Sequence, residues 1–396
     1  MKDHLISFDD TETAFKSKTD SDLKRAYWLF KMISFNWLVQ ISPPFVRFAL
    51  WAKLPVKGLI RATAFRHFCG GENIEDCKNA IIQLGKYNIG TILDYSVEGK
   101  ESEKDFEIAL KETLATLARA KGDPNIPFCV FKPTGFIRFE LLTKVNARQT
   151  LTPEEEKEFS SFQNRIDRIC ETANRFNVPV FIDAEESWIQ DVIDELALSM
   201  MMKYNKEKVI VYNTLQMYRT GRIEYLKACL ETAMKSKFFT GFKIVRGAYM
   251  EKERKRAQEL NSISPIQPNK SATDTDYNEA LRIIIENIEL TGLCCGTHNE
   301  ESSLFLVERM DEKKISHNHP HVWFSQLFGM SDHISYNLAK AGYNVCKYVP
   351  YGPVEYVLPY LIRRAQENTS VAGQTSRELG LLQEEISRRK QVKKSN

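Results

Sequence analysis

Short apolar runs rich in β-branched residues recur along the chain from residue 87 onward, separated by longer polar stretches with helical periodicity. Each run is apolar nearly throughout, as a strand of a parallel sheet covered on both faces must be. The stretches between the runs are long enough to hold the helices that connect parallel strands. Eight runs occur, at 89–94, 127–131, 179–183, 208–212, 241–245, 293–296, 321–324 and 344–348. This alternation predicts an α/β fold in the form of a (βα)8, TIM-like barrel.

The two ends of the chain do not follow this alternation. Residues 1–86 are mostly of helical character, and residues 375–390 predict a terminal helix. We therefore predict a helical N-terminal region over 1–86, a catalytic barrel over 87–370, and a C-terminal helix and tail over 371–396. A length of 396 residues accommodates one such barrel, which usually takes about 250 residues, with smaller additions.

Composition limits the class of protein. With 43% hydrophobic and 27% charged residues, the chain is of ordinary globular type, and a net charge of +3 argues against a nucleic-acid partner. The eight cysteines form no CxxC pair and several fall in apolar runs, so we expect reduced, buried thiols. The first residues lack the pattern of a secretory or mitochondrial leader, and no apolar stretch reaches 18 residues. A cytoplasmic protein without a membrane-crossing helix is predicted.

Polar residues gather at the ends of most of the apolar runs. In a (βα)8 barrel the carboxyl ends of the strands form the single active-site face, so we expect these side chains to converge from distant parts of the sequence. The residues concerned are Asp94, Lys132, Asp183, Gln216, Arg246, His298, Ser325, Gln326, Tyr351 and Gly352.

The segment PYLIRRAQEN at 359–368 reads as a helix that follows the last strand. Arg363 and Arg364 are adjacent there, with Tyr360 one turn before them and Glu367 one turn after. Paired guanidinium groups bind a carboxylate or phosphate through charge-assisted, often bidentate hydrogen bonds. The pattern indicates a small anionic ligand, although a solvated basic helix face is the plainer alternative for this segment alone.

The segment FKIVRGAY at 242–249 runs from a strand into a loop. Gly247 and Ala248 have little bulk, so the backbone there can approach a large flat ligand, and Lys243 and Arg246 add positive charge beside it. A cofactor with phosphates or an electron-rich ring would suit this arrangement. An ordinary strand-to-helix turn with solvent-facing bases is the alternative.

Two further strand ends carry candidate chemistry, IDAEE at 182–186 and GTHN at 296–299. Carboxylates at a strand end serve as general bases, as metal ligands, or as groups that orient a basic residue. Metal is disfavoured because no matching set of histidines accompanies them, and the HNHPH run at 317–321 precedes its strand. Neither a GxGxxG fingerprint after a strand nor a P-loop is present, so any cofactor binds by other means.

In these motifs the chain resembles the proline dehydrogenases. RGAY, DAEE, THN and YLIRRAQEN occur in that order, and the resemblance extends from about residue 87 into the C-terminal helix, in the manner of the animal mitochondrial enzymes. It implies a flavin-dependent oxidation of L-proline to Δ1-pyrroline-5-carboxylate, with hydride transfer to FAD and electrons passed to a membrane quinone. This reaction is the first step of proline catabolism.

The resemblance also implies roles for single residues. The residues implied to contact substrate or gate the site are Lys132, Arg363 and Arg364 on the carboxylate, Tyr348, Tyr360 and Leu327 around the ring, the site aspartate Asp183, and Glu98, which pairs with the first arginine. Implied contacts of FAD are Gln216, Lys243, Arg246, Gly247, Ala248, Thr297, His298, Asn299, Ser325, Gln326 and Glu367. Many bacterial relatives have Arg at the position of Lys243. Tyr348 favours proline over hydroxyproline, because hydroxyproline-preferring relatives carry a smaller residue there.

Other functions stay open at this point. The chain could be a hydroxyproline dehydrogenase, a Schiff-base lyase with Lys132 or Lys243 as the amine nucleophile, or a membrane-associated binding protein without enzymatic activity. Residues 45–68 contain five Lys or Arg, no acid and many large apolar residues, a composition that favours peripheral attachment, on the inner face of the cytoplasmic membrane. A helix that caps the core is the plainer explanation of this segment.

Overall fold

The computed structural model describes residues 6–35, 56–97, 99, 101–370 and 374–395. Its eight strands form a closed parallel barrel in chain order, which confirms the predicted (βα)8 fold. The strands, β1 to β8, are Ile89–Tyr95, Phe128–Phe131, Val180–Ile182, Val211–Gln216, Thr240–Val245, Thr291–Gly296, Val322–Leu327 and Val345–Tyr351.

Helices connect the strands and form both ends of the chain. Before β1 the described helices are Thr11–Ala14, Asp20–Ile33, Val56–Ile60, Arg66–Phe68 and Lys78–Gly85, with a π-helical turn at Arg61–Phe65. Between β1 and β8 they are Glu103–Ala120, Phe139–Asn146, Pro153–Phe176, Ser187–Tyr204, Arg222–Ser236, Met250–Glu259, Lys270–Glu286, Glu300–Glu312 and Asp332–Lys340, with a 3-10 turn at Pro133–Gly135. Val354–Ser370 and Gln374–Ser395 follow β8.

One strand was misplaced by the sequence pattern. The run at 208–212 predicts its position, but β4 begins at Val211 and continues to Gln216. The polar pair Asn213 and Thr214 ends the apolar run without ending the strand. Both are buried, and the Asn213 side-chain amide donates a hydrogen bond to Asp194 Oδ1 at 2.9 Å, while its own Oδ1 accepts none within the described residues.

Residues Gly99–Ser325 form one compact unit. Its strands carry an aromatic layer in which Phe128 stacks on Phe181 with ring centres 4.5 Å apart, and Tyr212 meets both rings edge-on. Side chains two positions apart on a strand share a face, so the residues two positions further along face the same way as this layer. Those positions are Val130, Asp183 and Thr214. Two of these three side chains, Asp183 and Thr214, are polar, so polar groups lie beyond the aromatic layer toward the carboxyl ends of the strands.

Residues Met1–Glu98 and Gln326–Asn396 form the second unit. β1 pairs in parallel with β8, and Ile92 lies opposite Tyr348. A hydrophobic cluster joins the early helices to the last two helices and includes Phe30, Phe68 and Leu381. The ion pair between Asp20 and Arg389, 3.0 Å long, links the Asp20–Ile33 helix to the C-terminal helix.

Two sequence expectations are settled by burial. All eight cysteines are free and buried, as predicted. Of the basic segment at 45–68, residues 45–55 lie outside the described residues. Phe65 and Phe68 belong to the hydrophobic core, which agrees with the core-capping explanation at that end, whereas Leu59 is 66% exposed.

Candidate active site

The unit of residues Gly99–Ser325 holds a buried ion pair at its strand ends. Lys243 extends from β5, and its Nζ pairs with Oδ1 of Asp183, the first residue beyond β3. The same ammonium lies 5.3 Å from the centre of the Phe181 ring. Only 6% of the Lys243 side chain and 15% of the Asp183 side chain are exposed. A buried ammonium is stable only with such partners, and a positive charge is thereby fixed at this end of the barrel.

A hydroxyl group lies next to this pair in the sheet. Thr214 of β4 is opposite Lys243 in the register of β4 and β5. The Thr214 side chain is buried, and its Oγ1 forms no hydrogen bond within the described part of the protein. Buried hydroxyls normally find a partner, so this group is available to a polar ligand. The buried hydroxyls of Thr91, Thr240 and Thr291 on other strands likewise have no hydrogen bond within the described residues, so the feature alone does not mark a site.

Gln216 connects two loops at the carboxyl end of β4. Its Nε2 donates to the Glu185 carbonyl at 2.7 Å, and its Oε1 accepts from the Ala248 N–H at 3.2 Å. The amide thereby joins the loop after β3 to the loop after β5. Both loops carry residues that the sequence analysis assigned to the site.

Gly247 is required by the backbone and by a neighbouring ring. Its φ of 136° lies in a region that residues with a side chain rarely adopt, and a Cβ there would come within 2.2 Å of the Tyr218 ring. The sequence predicts that the small residue lets a flat ligand approach. The structure adds a second reason, which is the space taken by Tyr218.

Arg246 belongs to a network with two other predicted cofactor contacts. Its guanidinium donates to Asp274 at 2.7 Å, to Thr297 Oγ1 at 2.8 Å and to Ser302 Oγ at 2.9 Å. Asn299 caps the Glu300–Glu312 helix by accepting from the Ser302 N–H at 2.7 Å. The predicted contacts Arg246, Thr297 and Asn299 are therefore brought together, between β5 and β6. His298 lies half-buried between the last two.

Two further predicted residues belong to the first unit, Lys132, which is half-buried, and Ser325, which is buried. The second unit holds the others. Tyr348 of β8 is 8% exposed, and its carbonyl accepts from the Phe328 N–H at 2.8 Å, directly after Leu327. On the Val354–Ser370 helix, the guanidinium of Arg364 lies 5.3 Å from the ring centre of Tyr360. Of the remaining predicted residues of this unit, Arg363 is half-buried, and Gln326 Oε1 accepts a hydrogen bond from the Ser335 hydroxyl at 2.7 Å. Glu98 and the side chain of Glu367 lie outside the described residues.

Comparison with known proteins decides the family. The proline dehydrogenase family matches the chain over residues 77–377, a range that contains every residue assigned to the site. The chain belongs to the proline dehydrogenase family. This confirms the resemblance predicted from the motifs, and it makes the protein an oxidoreductase of that class.

Individual relatives agree with this family. Proline dehydrogenase 1, mitochondrial, of Dictyostelium discoideum is 34% identical over 96% of this chain and 74% of its own. Hydroxyproline dehydrogenase of Xenopus laevis is 31% identical over 97% of this chain and 90% of its own. Proline utilization A of Bdellovibrio bacteriovorus, solved after inactivation by N-propargylglycine, matches with a TM-score of 0.73 at 18% identity, over 91% of this chain and 38% of that one. The chain thus spans under half of that solved protein, and the likeness shows the fold.

One contact of the candidate site has no counterpart in the sequence predictions. The Glu185 carboxylate accepts hydrogen bonds from the Thr134 N–H at 2.9 Å and the Thr134 hydroxyl at 2.5 Å. Thr134 stands two residues after Lys132, so Glu185 fixes the loop that carries that lysine. Burial raises the pKa of Glu185 to about 7, although the bonds from Thr134 oppose the shift. The DAEE motif pointed to this carboxylate, but nothing in the sequence identified Thr134 as its partner.

Proposed function

We propose that this member of the proline dehydrogenase family oxidises L-proline to Δ1-pyrroline-5-carboxylate by hydride transfer to FAD, with electrons passed on to a quinone. The observation that carries the proposal is the buried Lys243–Asp183 pair beside Gln216, at the strand ends of a barrel of this family. A fixed ammonium at that place stabilises negative charge that develops on an acceptor, most strongly where water is excluded.

The residues present fit a flavin. The amide of Gln216 and the ammonium of Lys243 are polar groups suited to the edge of such a ring, and the buried Thr214 hydroxyl has no partner within the described residues. Gly247 itself adds no side chain to the loop, although the Tyr218 ring occupies the space where its Cβ would lie. When bound, FAD supplies the two-electron acceptor that no side chain of the protein can provide.

The side chains contribute binding and orientation. Proline C5 releases a hydride only when the ring nitrogen carries a free electron pair, so the reactive substrate has a neutral amine. Arg363, Arg364 and Lys132 are proposed to bind the substrate carboxylate, an attachment remote from the bond that breaks. Tyr348, Tyr360 and Leu327 are proposed to surround the ring. Glu185 would hold the Lys132 loop in place through its two hydrogen bonds to Thr134.

Hydroxyproline is the second candidate substrate. The Xenopus laevis relative is named for hydroxyproline, and its match covers nearly the whole of both chains. Tyr348 argues for proline, because its large buried side chain leaves less room for an added hydroxyl group. The two substrates therefore belong in one assay.

A quinone acceptor would place the protein at a membrane surface. Among the described residues, every helix is too short or too polar to cross a bilayer. We propose a cytoplasmic protein attached peripherally to the inner face of the membrane, where a lipid-soluble quinone can be reached. The stretch of residues 23–68, which contains Lys and Arg but neither Asp nor Glu, supports this attachment.

The test is a product assay on the purified full chain with a soluble dye as electron acceptor. L-proline should yield a product lighter by two hydrogen atoms by mass spectrometry, and trans-4-hydroxy-L-proline should react more slowly. Equal or faster turnover of hydroxyproline would reverse the substrate assignment. Binding of proline without dye reduction, or trapping of a carbonyl substrate on Lys132 or Lys243 by borohydride, would overturn the redox function.

A further inference from the structure

The Asp20–Ile33 helix has an apolar surface that no described part of its own unit covers. One face of the helix, with Leu23 and Phe30, is buried in the hydrophobic cluster. Elsewhere on this segment, Trp28 is 60% exposed, Met32 is 58% exposed, and Phe35, just beyond the helix end, is 47% exposed. Large apolar side chains grouped on a surface mark a place of interaction.

Two lysines share this surface. Lys24, Trp28, Lys31 and Phe35 follow one another at spacings of four, three and four residues, which keeps them on one side of a helix. We call Lys24, Trp28, Lys31, Met32 and Phe35 the Trp28 face. Lys31 Nζ lies 5.0 Å from the centre of the Trp28 ring. The face is therefore apolar and positively charged at once.

Acidic groups do not neutralise the Trp28 face. The acids of the helix, Asp20 and Asp22, lie in its first turn, where Asp20 pairs with Arg389 and Asp22 with Arg25. Within the described residues, Lys24 and Lys31 form no ion pair. By contrast, Lys57 and Arg61 further along the chain pair with acids.

The sequence around the Trp28 face has the same character. Residues 23–71 contain eight Lys or Arg and neither Asp nor Glu, in a chain with 52 acidic residues. Three of the five tryptophans fall in this stretch. Tryptophan and lysine together are typical of segments that lie in the headgroup region of a membrane.

We propose that the Trp28 face docks on a bilayer surface rich in anionic lipid, with Trp28, Met32 and Phe35 inserted among the headgroups and Lys24 and Lys31 on their phosphates. The inference rests on the peripheral attachment proposed above and gives it a location. A second copy of the chain suits the face less well. In a two-fold symmetric contact the face would meet itself, so that lysines would be brought against lysines.

The experiment is co-sedimentation of the full chain with vesicles of phosphatidylcholine alone or mixed with phosphatidylglycerol, at low and high salt. Wild-type protein should bind the anionic vesicles, and less so at high salt. The variants Trp28→Ser/Phe35→Ser and Lys24→Gln/Lys31→Gln should each weaken this binding at least tenfold, since each basic residue at a membrane surface contributes about fivefold. The matched control is Met234→Ser/Lys235→Gln, which removes an exposed Met and Lys from the Arg222–Ser236 helix and should bind as wild type.

The outcomes separate the inference from the proposed function. Wild-type protein that binds no vesicle overturns the peripheral attachment and this inference together. Variants that bind anionic vesicles like wild type overturn only the assignment to the Trp28 face. Equal binding of the wild-type protein to neutral and anionic vesicles also overturns only that assignment. A lower molecular mass of the Trp28→Ser/Phe35→Ser variant in light scattering would identify a second copy as the occupant and overturn the inference. Dye-linked proline oxidation should be unchanged in all variants, which confirms that they fold.

Discussion

Each unit of the protein contains a buried lysine–aspartate pair, and the two pairs differ in their surroundings. Lys347 of β8 is fully buried, lies 2.9 Å from Asp332, and also donates to the carbonyl groups of Met330 and Leu327. Asp332 is the first residue of its helix, where the helix dipole favours a negative charge. Lys243 instead reaches a partially exposed Asp183 at the strand ends, where the Gln216 amide joins the loops after β3 and β5. A buried threonine without a hydroxyl hydrogen bond within the described residues lies opposite each lysine, Thr214 opposite Lys243 and Thr91 opposite Lys347, so this feature does not distinguish the pairs.

We propose that this difference separates a structural ion pair from a functional one. Backbone carbonyls and a helix terminus satisfy the charges of the Lys347 pair, so that pair holds the loop after β7 to β8. The Lys243 pair lies beside the Gln216 amide, a polar group that suits a ligand. The same two residue types thus serve stability in one unit and, we propose, chemistry in the other. The predictions below test this division.

The largest expected effect is on stability, from Lys347→Met. The change leaves Asp332 buried with only the more distant Lys18, 3.4 Å away, and should lower the free energy of unfolding by about 3–5 kcal/mol. Although burial disfavours the charged carboxylate, Lys347 and Lys18 hold the pKa of Asp332 well below its usual value. This stabilisation is therefore present above pH 4 or so and is lost as the pH falls further. Urea unfolding measures both effects.

The control is Lys340→Met, which removes an exposed lysine from an ion pair with Asp10 on the surface of the same helix. It should change the stability little, as exposed pairs do. Equal effects of the two substitutions would contradict a special role for Lys347.

The next effect is a pH dependence caused by Glu185. Burial raises the pKa of Glu185 to about 7 in the folded state, from an ordinary value of 4.5. The folded protein therefore binds this proton more tightly, so the stabilisation is complete below pH 4.5 and is lost as the pH rises through 7. Between pH 4.5 and 8, wild type should lose roughly 3 kcal/mol relative to Glu185→Gln in urea unfolding. Parallel pH profiles of the two proteins would show that the Glu185 carboxyl is not perturbed.

Lys243→Met should act mainly on catalysis. Loss of the fixed positive charge is expected to lower kcat with proline about 100-fold, the size found for removal of one preorganised stabilising group. Lys243→Arg keeps the charge and should recover most of the activity. Stopped-flow measurement of flavin reduction gives the rates, and urea unfolding gives the stability. A Lys243→Met protein that loses stability like Lys347→Met but keeps its kcat would erase the distinction between the pairs.

The smallest effect concerns substrate binding by Arg364. Arg364→Met should raise the proline KM at least tenfold and lower kcat less, because a remote carboxylate contact contributes to binding before the reaction. Arg282→Met, which removes an exposed arginine from the Lys270–Glu286 helix, is the control and should leave the KM unchanged. An unchanged proline KM in Arg364→Met would remove this residue from the proposed carboxylate site.

The sequence predicted the fold well because burial on both faces makes each strand visible as an apolar run. The error at β4 arose where polar side chains are buried inside the protein, as Asn213 is with its hydrogen bond to Asp194. Periodicity cannot reveal such partners, because they come from distant parts of the chain. The FKIVRGAY and IDAEE segments pointed to Lys243 and Asp183, which the structure pairs. The position of Gln216 at a strand end pointed to that residue, and its amide hydrogen-bonds the loops of both segments.

Other contacts could not be predicted from the sequence. Lys347 lies inside an apolar run, and nothing near it in the chain indicates Asp332 as its partner. The hydrogen bonds of Glu185 to Thr134 join residues 51 positions apart, and the raised pKa depends on burial that only the fold produces. The proposed roles of Arg363 and Arg364 remain predictions from the family resemblance.

The most direct test of the account is an anaerobic absorption titration of the purified protein with L-proline. The account predicts flavin absorption bands that bleach as proline is added, with the Lys243→Met protein bleaching about 100-fold more slowly. A protein that binds added FAD and retains its full absorption at saturating proline would contradict it.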